Sequence, residues 1–234
     1  MPFTPEAPQF LFENYSRNDK EWFRANKAVY EKEILTPFAE IITELTPLMK
    51  ETDPEIVCDP KKVSRLYRDV RLIKDGMFFR KSVWCSFMRR KERFDSKPEF
   101  YVWISDEAFG WGCGYYMMPV PVMESVRKLI LSGDRTAMSA IKAYEGQEHL
   151  VMTGEKYKRD RFPQEPERLK NWLCRKRIGF NFESDDPELF FSPRFISTVK
   201  EDLAAIAPVY KLFIKAEEQA AAEKAALIAG TAGK

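Results

Sequence analysis

Between Ser64 and Asp75 the chain reads Ser-Arg-Leu-Tyr-Arg-Asp-Val-Arg-Leu-Ile-Lys-Asp, with apolar and polar residues in alternation. On a strand, residues two apart share a face, so Arg65, Tyr67, Asp69 and Arg71 project together while Leu66, Val70 and Leu72 project the other way, interrupted by Arg68. Guanidinium groups present paired donors in one plane and suit a phosphate or a carboxylate. The same groups also neutralise each other as a charge ladder, which contributes little to stability when exposed. Nothing else in the segment decides between an anion site and a ladder. Lys74 extends the positive charge to its distal end.

A polar strand face needs something opposite it. The first fifty residues have helical spacing: Thr4-Pro5 offers a helix start, the chain breaks at Ser16-Arg17-Asn18, and Asp19 caps a second helix. Along that helix Trp22, Phe23, Tyr30 and Ile34 form an apolar stripe, and Asn26 falls on it. A buried amide either bonds nearby backbone or lines a site. The expected site is therefore a cleft lined by Asn26, Arg65, Tyr67, Asp69, Arg71 and Lys74. Thr36-Pro37 restarts a helix that Pro47 should end.

From residue 63 the period changes to two. Strands are expected over 64–72, 82–90, 100–105 and 110–118, joined by a turn at Lys74-Asp75-Gly76, a charged loop at Arg89-Arg90-Lys91-Glu92-Arg93 and a turn at Asp106-Glu107. Gly112 and Gly114 clear one strand face, and a common reason to keep glycine there is close approach by a backbone or a ligand. Helices follow over 120–131 and 135–144, then a loop-rich stretch 146–166 containing Lys156-Tyr157-Lys158-Arg159-Asp160-Arg161. Such a strip has the composition of a phosphate contact, or of a solvated loop. A short helix over 166–173, a fifth strand over 175–182 and a long helix from Ser192-Pro193 complete the pattern, with Pro208 as a kink. The class is α+β: one domain over 1–214 with a mainly antiparallel sheet of about five strands and helices at both ends, then an Ala/Glu/Lys-rich helical extension over 215–234.

Composition narrows the function classes. With 44% hydrophobic and 14% aromatic residues the chain supports a real core, and 38 basic against 36 acidic residues leave a net charge of +2. That balance argues against an overall field for nucleic acid or membrane, so an anion site must be local. No apolar run reaches the length of a membrane span and no signal sequence is evident, which points to a soluble, cytoplasmic protein. Cys58, Cys85, Cys113 and Cys174 are scattered, with no C-x-x-C, and His149 is the single histidine. Reduced thiols, no metal and no cofactor are the expectation. The oligomeric state is open.

Three motifs occur in register: Asn18-Asp19-Lys20-Glu21-Trp22-Phe23-x-x-Asn26-Lys27, Arg65-Leu66-Tyr67-Arg68-Asp69-Val70-Arg71, and Gly110-x-Gly112-x-Gly114-x-Tyr116. With Lys156-x-Lys158-Arg159 and Ala207-Pro208, they make residues 3 to 214 resemble the DUF2461 family of uncharacterised, mostly bacterial proteins. The resemblance implies a compact α+β domain and carries over no catalytic residues. Where the family typically continues into Lys-Asp-Lys-x-Pro-Tyr-Lys, this chain keeps Lys74 and Asp75, then reads Gly76-Met77-Phe78-Phe79-Arg80.

The leading expectation is a binder of a small anionic or phosphorylated ligand. One alternative is an enzyme acting on such a ligand, with Asp69 as general base or Tyr67 as general acid; close arginines would lower the Asp69 pKa and weaken it as a base. A second is a single-stranded nucleic-acid module using Tyr101, Trp103 or Trp111 as stacking platforms. A third is an interaction protein whose terminal helix docks on a partner.

Overall fold

The computed structural model describes residues 2–69, 71, 74–90 and 96–232. Helix α1 (Glu6–Arg17) ends at Asn18, which takes the left-handed conformation (φ 49) that a short amide side chain tolerates at a helix end. Asp19 then caps α2 (Lys20–Ala25), accepting hydrogen bonds from the Glu21 and Trp22 N–H groups. Helix α3 (Lys27–Tyr30) passes through a π-helical turn (Glu31–Leu35) into α4 (Thr36–Thr52). The helix begins at Thr36 with Pro37 in its first turn, as expected, but Pro47 does not end it. Leu45 and Met49, both fully buried, hold the helix in line through Pro47.

Six strands form one antiparallel sheet: β1 (Ile56–Val57), β2 (Ser82–Arg89), β3 (Pro98–Ser105), β4 (Phe109–Tyr115), β5 (Val151–Thr153) and β6 (Gly179–Ser184), in the order β1-β2-β3-β4-β6-β5. Alternation is strict where expected, with Val83, Cys85 and Phe87 of β2 and Phe100, Val102 and Ile104 of β3 turned inward. Among the described residues of 64–72 the expected strand is not formed. Val63 bridges Cys85 and Tyr67 bridges Phe79, so three residues on one side oppose five on the other and the ladder slips. Ser64 explains part of the slip: its hydroxyl accepts the Trp84 N–H at 2.8 Å, replacing a backbone acceptor. The apolar-face residues Val70 and Leu72, and Lys91, Glu92 and Arg93 of the charged loop, lie outside the described residues.

Helices α5 (Val120–Leu131) and α6 (Arg135–Glu145, capped by Asp134) follow, then α7 (Glu167–Leu173), α8 (Pro187–Phe190), α9 (Phe195–Ala205) and α10 (Ala207–Ala232). Pro208 does more than kink the terminal helix: it sits in the first turn of a new one, where its missing N–H costs nothing. Among the described residues no helix is long and apolar enough to cross a membrane.

Contacts group into two compact units. The first comprises residues 1–87, 101–111 and 182–201, the second residues 88–100, 112–181 and 202–234. In the first, Phe3 stacks on Phe190 and meets Phe38 and Phe195 edge-on, while Trp111 stacks on Phe182. Trp111 is wholly buried, which removes it as a stacking platform. The second unit is built on α10, with Phe100 stacked on Tyr210 and Tyr115 edge-on to Phe213.

The helix does not change character at Lys215. Ala216 and Ala220 are buried, and Lys97–Glu217, Arg89–Glu218 and Lys128–Glu223 ion pairs tie the extension to the second unit. Removing residues 224–234 should leave the melting temperature within about 2 °C. Removing residues 216–234 deletes these pairs and buried methyls, together about 2–3 kcal/mol, and should lower it by roughly 5–10 °C in a thermal denaturation scan.

Asn14 is fully buried in the first unit, and neither amide atom has a hydrogen-bond partner among the described residues. Such a group costs about 1–3 kcal/mol. Asn14→Leu, close to isosteric, should raise the unfolding free energy by a similar amount in denaturant titrations.

Candidate functional site

The segment 63–81 is an irregular hairpin, and its charges close on themselves. Arg71 donates to both Asp69 carboxylate oxygens, Nε to Oδ1 at 2.9 Å and Nη2 to Oδ2 at 2.6 Å. Arg68 donates to both oxygens of Asp75 at 2.7 and 2.8 Å and to the Met77 carbonyl. The Arg71 side chain and backbone N–H hold the Asp69 carboxyl at about 2, below the ordinary 3.8. A carboxylate so stabilised is a poor general base near neutral pH. Tyr67 packs on Phe23 and Phe79, with ring centroids 5.1 and 4.7 Å away.

Asn26 donates its side-chain N–H to the Trp22 carbonyl at 2.9 Å, the backbone use of a stripe amide. The helices meet the hairpin through Asn18, whose amide donates to the Gly76 carbonyl and accepts from the Phe78 N–H. Phe79 is buried beside Phe23 and Tyr67, so the departure from the family pattern at Phe78-Phe79 serves packing. Of the six expected site residues, Arg65, Tyr67 and Lys74 are exposed with no ion pair or side-chain hydrogen bond among the described residues, and Tyr67 is held by its ring contacts.

A cavity of about 240 Å³ lies elsewhere, in the second unit, lined by residues of β4, β5, β6 and their flanks. Gly154 and Gly179 line it without side chains, and next to it β6 passes β4 closely: a Cβ on Gly114 would lie 3.1 Å from the Gly179 Cα. Met118 and Ile178 add buried apolar surface, Thr153 adds a hydroxyl, and the Tyr116 ring at the rim is 90% exposed. Tyr115 contributes its ring; burial and the Glu217 carboxylate push its phenol well above the usual value.

The remaining lining residue is Arg177, aimed by a β-bulge. Thr153 pairs with Gly179 and Lys156 with Arg175, so residues 154 and 155 oppose residues 176, 177 and 178. An extra residue bends a strand and redirects a side chain, and bulges are frequent beside active sites. Gly154 makes this bulge possible: its φ is +113, and a Cβ there would lie 2.0 Å from the Arg177 carbonyl oxygen. Arg175 locks the other side, donating to the Gly154 carbonyl at 2.6 Å and to Asn171. Arg177 itself is exposed and has no hydrogen bond or ion pair among the described residues. The nearest carboxylate, Glu155, feels its charge but bonds Lys176 at 2.6 Å. Arg177 was inside the expected fifth strand but escaped notice, because the extra residue that exposes it has no composition signal.

Other chemistry-bearing groups are accounted for locally. His149 Nδ1 lies 2.9 Å from the Asp202 carboxylate, Cys85, Cys113 and Cys174 are buried thiols, and Cys58 is half-buried. Among the described residues no group of three or more His, Cys, Asp or Glu is arranged to hold a metal.

The architecture defines an α+β protein with a six-stranded antiparallel sheet and helices from both chain ends. The family model for DUF2461, conserved hypothetical proteins, matches residues 6–212, and the chain belongs to that family. No curated protein matches the sequence.

The Asp69–Arg71 fork is directly testable. By NMR titration the Asp69 carboxyl should show a midpoint of about 2, and Arg71→Met should return it towards 3.8. Because the folded value is depressed, this contact stabilises above the unfolded carboxylate pKa, and its contribution disappears as pH falls through about 2. A midpoint above 4 in the native protein would restore Asp69 as a base.

Proposed function

We propose that the protein binds a small anionic or phosphorylated ligand, with Arg177 as the principal partner of the anion at the mouth of the β4–β6–β5 cavity. The observation that supports this reading is the bulge: a guanidinium with no ion pair among the described residues is held beside a cavity that it helps to line. Pockets that bind small molecules combine apolar walls with a few placed polar groups, and this one offers Arg177 and the Thr153 hydroxyl. The ligand class is the one expected from the sequence, at a different place in the fold.

A second reading keeps the ligand at the hairpin. It is favoured by the exposure of Arg65 and Lys74 in the same segment as Tyr67, Asp69 and Arg71, with Asn26 of the helices as the further expected partner. Calorimetry with uridine 5′-monophosphate and inorganic phosphate separates the two. Arg177→Met should weaken binding about 10–100-fold, the loss of a charged hydrogen bond, while Arg65→Met leaves it within twofold. The opposite pattern moves the site to the hairpin. Absence of binding to the wild-type protein rejects both.

A further inference from the structure

Residues 155–161 and 175–177 together carry seven Lys or Arg side chains and two carboxylates. Both carboxylates are engaged, Glu155 with Lys176 and Asp160 with Lys170. This strip is an ordered ribbon. The Tyr157 N–H donates to the Cys174 carbonyl, the Lys176 N–H donates to the Glu155 carbonyl, and Lys156 bridges Arg175. Beneath it the guanidinium of Arg127, only 3% exposed, donates to the Leu173 and Arg175 carbonyls. The Arg127 and Arg161 guanidinium groups both lie over the Tyr157 ring, 5.5 and 4.6 Å from its centroid.

The exposed cations of the ribbon, Lys156, Lys158 and Arg159, have no ion pair among the described residues. Lys156 faces Arg175, two positions, or about 7 Å of strand, from Arg177. A positive track thus leads to a cavity lined in part by Gly154, Gly179 and the exposed Tyr116 ring.

We infer that this surface binds single-stranded nucleic acid: a terminal nucleotide enters the cavity, its phosphate meets Arg177, and the following phosphates run along Lys156, Lys158 and Arg159. The inference rests on the anion-binding reading of the cavity. A planar base can stack on the exposed Tyr116 ring that lines the cavity, a contact that supplies sequence-tolerant affinity. A lipid surface has no planar group for the cavity, and a duplex keeps its bases stacked away from it.

The test is fluorescence anisotropy with a labelled twelve-residue oligouridylate, beside calorimetry with uridine 5′-monophosphate. Four phosphate contacts predict a slope of log K against log salt of about −2.8. Replacing Lys156, Lys158 and Arg159 together by Gln should bring it to about −0.7, with monophosphate affinity within twofold of wild type and an unchanged melting temperature. Arg177→Met should weaken both ligands. The inference falls if the oligonucleotide binds no tighter than the monophosphate, if the triple variant keeps the wild-type slope, or if a duplex or phosphatidylserine vesicles bind as tightly. Monophosphate binding without an oligonucleotide advantage leaves the cavity reading intact and overturns only the track; an oligonucleotide that binds when the monophosphate does not rejects the cavity and the inference as stated.

Discussion

The buried guanidinium of Arg127 fixes the point where α7 gives way to β6. It donates to the Leu173 and Arg175 carbonyls and the Glu124 carboxylate, so each of its three nitrogens has an acceptor although it is 3% exposed. A buried cation is tolerated only when paired and hydrogen-bonded, and removing it strands its acceptors. Because the Arg175 backbone is held there, the Arg175 side chain can reach back to Gly154 and Asn171. The bulge between Gly154 and Arg177 is a consequence of that anchoring, as is the ribbon beyond it. Arg127 touches neither candidate ligand group, yet the geometry of both descends from it.

Two arginine-rich segments of one chain have opposite outcomes for a local reason. In the hairpin Arg68 and Arg71 each have a carboxylate within reach along the chain, Asp75 and Asp69, and each contacts both of its carboxylate's oxygens. Such pairs are local to the segment. At the bulge the Glu155 carboxylate feels the charge of Arg177, but Lys176 takes it. One additional residue just before β6 therefore decides which of two adjacent cations stays open.

Much of this architecture is legible in the sequence, because the signals are local. Asp19 and Asp134 cap the helices their positions imply, the stripe Phe195, Val199, Leu203, Ile206, Tyr210 and Phe213 is fully buried, and β2 and β3 follow strict alternation. The 64–72 segment misleads because alternation reports which side chains suit a strand and is silent on whether the partner ladder stays in register. A serine hydroxyl competing for the Trp84 N–H is invisible to periodicity. Strand β5 is three residues long with only Met152 buried, too short to carry a pattern. The glycines of β4 are the intermediate case. Their spacing announces a close approach, and the partner is the β6 backbone: a Cβ on Gly110 would lie 2.3 Å from the Phe182 carbonyl oxygen.

Net charge is a weak guide to this molecule, and the reason is the range of the interaction. Opposite charges cancel for a ligand only if they lie within about a Debye length, about 8 Å at physiological salt. The 38 cations and 36 carboxylates of the chain are not evenly mixed. Glu217, Glu218 and Glu223 of α10 are committed to Lys97, Arg89 and Lys128, so their charges are neutralised where they stand. An approaching phosphate at the ribbon meets the local excess of seven cations over two carboxylates, both already paired. A sum of +2 over the whole chain is therefore compatible with a strongly positive site. A near-neutral composition describes the chain as a whole and leaves room for a basic surface ten residues long.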